Sequence, residues 1–151
     1  MRWVISLLVA VLVGYSLSIV INASVSAATL VGFGIEVSLS DRLDMIAKEG
    51  VGLGTVYLPL YLILHAICFW LLGLALRNRA VKTVIAQATY AGVGALSLMT
   101  FYLSFDAVMG SGGVVVASTR TTAGLFAHAA TGGVSGLLFQ LLNHGSTGQS
   151  D

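Results

Sequence analysis

Four stretches of the chain, Trp3–Ala28, Leu53–Leu76, Thr83–Met109 and Thr122–Asn143, are apolar enough to cross a lipid bilayer, and together they carry one formal charge, Asp106. Hydrocarbon offers no hydrogen-bond partner to a backbone amide, so each spanning segment must satisfy its own N–H and C=O groups. Roughly 20 apolar residues in a helix span the ~30 Å core, and all four stretches reach that length. The expected fold class is therefore all-α: a polytopic membrane protein, one domain over 1–151, with four transmembrane helices at about 3–28, 53–76, 83–109 and 122–143 in a compact bundle.

Composition closes off the soluble alternative. Charged residues make up 9% of the chain, against about 25% in ordinary soluble domains, and the mean hydropathy is +0.96. The net charge is +1 with the basic residues scattered, so no face can neutralise a run of phosphates and nucleic acid is not an expected partner. The single cysteine, Cys68, cannot form an intramolecular disulfide and reads as a small buried hydrophobe. The one proline, Pro59, is expected to kink the second apolar segment.

Met1-Arg2, an apolar run and the small stretch Ala23–Ala27 resemble a signal peptide with its cleavage site. The run from Trp3 to Ile21 is 19 residues, about 28 Å of helix, longer than an ordinary signal core, so the expectation is a retained first helix. With Arg2 inside, the connector Arg77-Asn78-Arg79-Ala80-Val81-Lys82 falls on the same side, giving four basic residues and no acid there. Arg42, Lys48 and Arg120 fall opposite among Glu36, Asp41, Asp44 and Glu49. The bias toward cytoplasmic basic residues then puts both termini in the cytoplasm. Compact size and short loops suggest a bacterial inner membrane.

The first outer connection contains a short helix over about 41–49, with Ser40 as N-cap, acids in the first turn and Gly50 as the stop. Leu43, Ile46 and Ala47 share one side, which suits a helix resting on the membrane interface. The second outer connection, 110–121, begins with glycines and ends with capping hydroxyls, and lacks the lysine of a phosphate loop. Residues 144–151 read as a polar tail.

Within the first segment, Ser6, Ala10, Gly14, Ser18, Asn22 and Ser26 recur every four residues. Since lipid is as apolar as leucine, close approach through small residues and hydrogen bonds draws helices together. This file is expected to be a packing or partner interface. Gly124, His128, Gly132, Gly136 and Gln140 repeat the device in the fourth segment. The second segment aligns Tyr57, Tyr61, His65 and Cys68, and the third Thr83, Gln87, Tyr90, Gly94, Ser97 and Ser104.

Intramembrane ionisable groups are candidates for function. His65 and His128 lie at similar counted depths, so they could face each other as two axial ligands of a b-type haem, with Gly124 and Gly132 giving room and Tyr61 or Tyr57 a supporting partner. Two histidines and a distant cysteine do not make a metal site. Asp106 is expected either to pair with Arg120 or to form a proton relay with His128. No nucleophile elbow, carboxylate pair or zinc-binding helix occurs, so an enzyme is not expected. The leading expectation is a small non-catalytic subunit, without cofactor, that anchors or stabilises a larger membrane complex. Its partners are lipids and other membrane subunits or further copies of itself. A haem b electron carrier is the alternative, and a small proton-coupled transporter the third.

Overall fold

A computed structural model of the chain describes residues 1–109 and 116–144. Among them are five α-helices and no strand: α1 (Arg2–Gly32), α2 (Leu39–Gly54), α3 (Tyr57–Leu76), α4 (Thr83–Met109) and α5 (Thr122–His144), with a 3-10 turn, Ala117–Arg120, ahead of α5. Four of these, α1, α3, α4 and α5, are long and apolar enough to cross a membrane, and the chain reads as a membrane-embedded protein.

The first connection departs most from expectation. Ser38, and not Ser40, caps α2: its hydroxyl accepts from the Asp41 N–H at 3.2 Å while the Asp41 carboxylate accepts from the Ser38 N–H at 2.9 Å. This reciprocal box satisfies two otherwise orphaned donors. Nor does Gly50 stop the helix. A glycine inside a helix costs only about 1 kcal/mol, and here the Gly50 carbonyl accepts from the Tyr15 hydroxyl at 2.6 Å, holding the turn against α1. As α2 runs on to Gly54, α3 starts at Tyr57 and not at Leu53. Pro59 thereby falls in the first turn of α3, where the first bond already runs from Leu60 N–H to the Val56 carbonyl. The missing proline N–H is one the helix start does not use, so the expected kink has no cause.

Small residues set the packing. Ser6, Ala10, Gly14, Ser18 and Asn22 are buried along α1, which packs mainly on α5; Ser26 is half-buried. The closest pair is α4 with α5. A methyl group on Gly94 would strike the Gly132 carbonyl, one on Gly132 the Gly94 carbonyl, and one on Gly136 the Tyr90 carbonyl, so these backbones touch with nothing between them. The buried file of α4 is Ala86, Tyr90, Gly94, Leu98 and Tyr102. Thr83 and Ser104, expected on that face, are exposed, and Gln87 and Ser97 are half-buried. On α3 the buried file runs Tyr57, Tyr61, His65, Phe69, leaving Cys68 half-buried beside it.

Two side-chain ties fix the register of α1 and α5. At one end the Arg2 guanidinium donates to the Leu142 carbonyl at 3.0 and 3.1 Å; further along, Ser18 meets His128 at 2.5 Å. Carried forward at 1.5 Å per residue, this register sets the start of α5 level with about Ser24. The rest of α1, roughly eight residues or ~12 Å, runs on beyond α5. The flank of α1 from Tyr15 to Ser26 carries α2, through Tyr15–Gly50 and through Glu49, which bonds Asn22 and Ser26.

Candidate functional site: a buried hydroxyl and imidazole chain

His128 is fully buried, and a serine meets each of its ring nitrogens: Ser18 Oγ at 2.5 Å from Nδ1 and Ser118 Oγ at 2.7 Å from Nε2. The first serine comes from the small-residue file of α1, the second from the 3-10 turn. Ser18 also bonds the Tyr57 hydroxyl at 3.0 Å, and Tyr57 bonds the Tyr102 hydroxyl. The Tyr57 and Tyr102 rings stack, and Tyr102 meets the His128 ring edge-on. Five groups from α4, α3, α1, α5 and the turn thus form one unbroken chain, Tyr102–Tyr57–Ser18–His128–Ser118.

A neutral imidazole donates from one nitrogen and accepts at the other, and a hydroxyl does both. The chain can therefore be polarised in either direction, and reversing it shifts a proton across each link. It extends outward by amides. The Ser118 N–H donates to Asn22 Oδ1 at 3.1 Å, and Asn22 Nδ2 donates to Glu49 Oε2 at 2.8 Å; Ser26 reaches the other Glu49 oxygen at 3.4 Å. These last links hold position, since a backbone N–H and a carboxamide do not readily give up protons. Asn22 is the one side chain joining α2 to the 3-10 turn in this network.

Toward the other end the chain stops. Tyr61 turns its hydroxyl to Ser135 at 2.9 Å, and its ring meets Tyr57 only edge-on at 5.6 Å. His65 stacks on Tyr61 with ring centres 4.3 Å apart and lies edge-on to Phe69. Its Nδ1 bonds the Tyr61 carbonyl at 2.9 Å, one turn back on its own helix. Among the described residues Nε2 has no hydrogen-bond partner.

The expected facing pair of histidines is not what the helices build. Tyr57 is the α3 residue that shares Ser18 with His128, and His65 stands eight positions further on, about 12 Å of helix rise. The two rings share no hydrogen-bond partner among the described residues. The glycines flanking His128 are filled by backbone: Gly124 lies against the Ser118 carbonyl and Gly132 against Gly94, where a flat macrocycle would need space. The depth match failed because it took the inner ends of the two helices as level, whereas the Tyr57–Ser18–His128 contacts set their register. Among the described residues no three His, Cys, Asp or Glu side chains come together.

Asp106 belongs to α4 and Arg120 to the 3-10 turn, but their side chains lie outside the described residues, as does the tail from residue 145. Three participants were not among the expected site residues. Tyr102 had a signal, because it continues the every-four file of Tyr90, Gly94 and Leu98. Ser118 and Glu49 had none, since each reaches the site from a connection whose path depends on tertiary contacts. Comparison with protein-family models, curated proteins and solved structures produced no match.

Proposed function

We propose that the chain is a non-catalytic integral membrane subunit, a four-helix transmembrane bundle that anchors or stabilises a larger membrane protein complex. One observation carries this reading. The overhang of α1 and the connection after it expose Val31, Phe33 (77%) and Ile35, in the part of the molecule that runs ~12 Å past the start of α5. Bilayer covers apolar side chains at hydrocarbon depth without a partner, but an apolar tip outside it is the kind of surface that meets protein. The small-residue file of α1 is spent on α5, so it is not the surface offered to a partner; the tip is.

The interior also favours a structural task. Glycine contacts close α4 on α5, and the polar groups are engaged in holding helices to one another. In this reading no cofactor is needed, α2 rests at the outer interface, and both termini lie in the cytoplasm of a bacterial cell. A Cys68→Ala background with Arg79→Cys or Gly52→Cys should label from opposite sides of the membrane. Labelling from one side would overturn that topology.

The decisive experiment is purification in mild detergent from native membranes. The expected result is stoichiometric co-migration with one larger membrane protein, a colourless preparation, and loss of co-migration in Phe33→Asp/Ile35→Asp. Migration alone, or co-migration unaffected by the tip substitutions, would overturn the subunit reading. A Soret band abolished by His65→Ala or His128→Ala would overturn the absence of haem.

Proton-coupled transport stands second, favoured by the reversible Tyr102–Ser118 chain. That chain covers only the part of the membrane nearest α2. Proton flux in liposomes that falls in Ser18→Ala would raise it to first place.

A further inference from the structure

At the end of the molecule away from α2, a cleft of about 360 Å³ opens between the start of α1, the end of α3, the connector after it and the facing parts of α4 and α5. The residues that matter in it are Trp3, Arg77, Arg79, Tyr90 and Gln140. Arg77 and Arg79 make no ion pair among the described residues; the one such pair there is Lys48–Asp44, on α2. Among the described side chains the acids, Glu36, Asp41, Asp44 and Glu49, all lie in or beside α2. Two guanidiniums beside the ends of apolar helices, with no acid among the described side chains to meet them, form a place for a phosphate, which arginine binds through paired donors.

Gln140 adds a second, independent requirement. It is 2% exposed, lines the cleft, and its Oε1 has no hydrogen-bond partner among the described residues. Leaving a buried acceptor unpaired is costly, and an arriving N–H or O–H donor recovers that cost. Trp3 lies at the very start of its helix, packed edge-on against Phe139 at 5.8 Å. Tryptophan at a helix end is a mark of headgroup depth. Anion on the arginines, donor on the glutamine and an aromatic wall at the membrane surface describe one class of ligand.

The geometry points to a binding site for a phospholipid headgroup: the phosphate diester is held by Arg77 and Arg79, and a hydroxyl or ammonium beyond it, as in glycerol or ethanolamine headgroups, donates to Gln140. Choline headgroups carry the same phosphate but no N–H or O–H, so they satisfy only half of the site. The site is independent of the subunit reading and needs only that these helices lie in lipid.

The test is native mass spectrometry of the full chain released from detergent, titrated with phosphatidylglycerol, phosphatidylethanolamine and phosphatidylcholine of matched acyl chains. The wild type should retain one molecule of the glycerol or ethanolamine lipid with roughly tenfold preference over choline, one hydrogen bond's worth. Arg77→Gln/Arg79→Gln should weaken all three lipids by about tenfold or more, and Gln140→Leu should keep binding but lose the preference. Circular dichroism of each variant checks that the helices persist, and Gln140→Glu, which keeps the acceptor, should keep the preference for the ethanolamine lipid. Equal retention of choline lipid by the wild type, or unchanged retention by the double arginine variant, would overturn the proposal. Inorganic phosphate displacing the lipid at equal concentration would show a site for free anion and overturn it equally.

Discussion

Gly92 and Gly94 stand two positions apart on α4, and replacing each by alanine should move stability in opposite directions. Alanine is favoured over glycine in a helix by about 1 kcal/mol, a gain both variants share. At Gly92 the new methyl meets nothing within 4 Å, so the propensity term stands alone and the variant should gain ~0.5–1 kcal/mol. At Gly94 the methyl falls inside contact distance of the Gly132 carbonyl oxygen and only 2.9 Å from its carbon, where ordinary contact begins near 3.4 Å. The obstacle is backbone on both sides, so no rotamer relieves it and α4 must part from α5 by roughly half an ångström or more. Parting by that much forfeits a quarter to a half of the dispersion energy of each contact along the seam, the Gly136–Tyr90 approach included. Overpacking of this kind costs about 1–3 kcal/mol; less the propensity gain, Gly94→Ala should lose ~0–2.5 kcal/mol. Once the seam is open, adding Gly132→Ala should cost less than it does alone, because the two methyls fill the same gap. Reversible unfolding in mixed SDS micelles, followed by circular dichroism, measures all four variants. Equal stability of Gly92→Ala and Gly94→Ala would refute the backbone-contact account of the α4–α5 seam.

The two histidines should separate in the same assay. His128→Phe strips Ser118 of its imidazole partner and breaks the chain at Ser18, for a loss of about 1–3 kcal/mol, whereas His65→Phe removes a ring whose Nε2 is already unpaired and should stay within ~1 kcal/mol of wild type. Asn22→Ala should cost about 1–3 kcal/mol, and hydrogen exchange should show the Ser118 amide losing protection; an unchanged amide would mean that Asn22 is not its partner. The Ser38 hydroxyl, with help from the Ser38 backbone N–H, holds the Asp41 carboxyl below the usual aspartate range. A lowered folded-state pKa means that the cap's contribution is complete above the ordinary aspartate pKa and disappears as pH falls through the lowered one. Amide exchange in the first turn of α2 should therefore accelerate in that acid window, and Asp41→Asn should abolish the pH dependence.

The four spans were legible because hydrocarbon imposes a length and a polarity that a single sequence displays directly. The files of small residues were legible too, since spacing by four is a property of the helix alone: Ser6 to Asn22 and Gly132 to Gly136 are buried as their rhythm implied. Boundaries set by competition between segments were not. Leu53 and Gly54 are apolar enough for a spanning helix, yet they belong to α2, because Tyr15 reaches the Gly50 carbonyl and carries that helix past its glycine.

Which polar groups meet was decided by register, and register is a relation between helices. His65 and His128 looked level when counted from their own ends, but the Tyr57–Ser18–His128 contact and the Arg2–Leu142 tie place α1, α3 and α5 along one another differently. Sequence alone determined that four helices must enter lipid and which edge of α1 and α5 is narrow enough to be approached, because those are consequences of local composition. Only the tertiary structure decided that His128 is enclosed by two serines, one of them delivered by a turn with no pattern of its own, because a hydrogen bond across helices depends on how far each rod is slid along its neighbour.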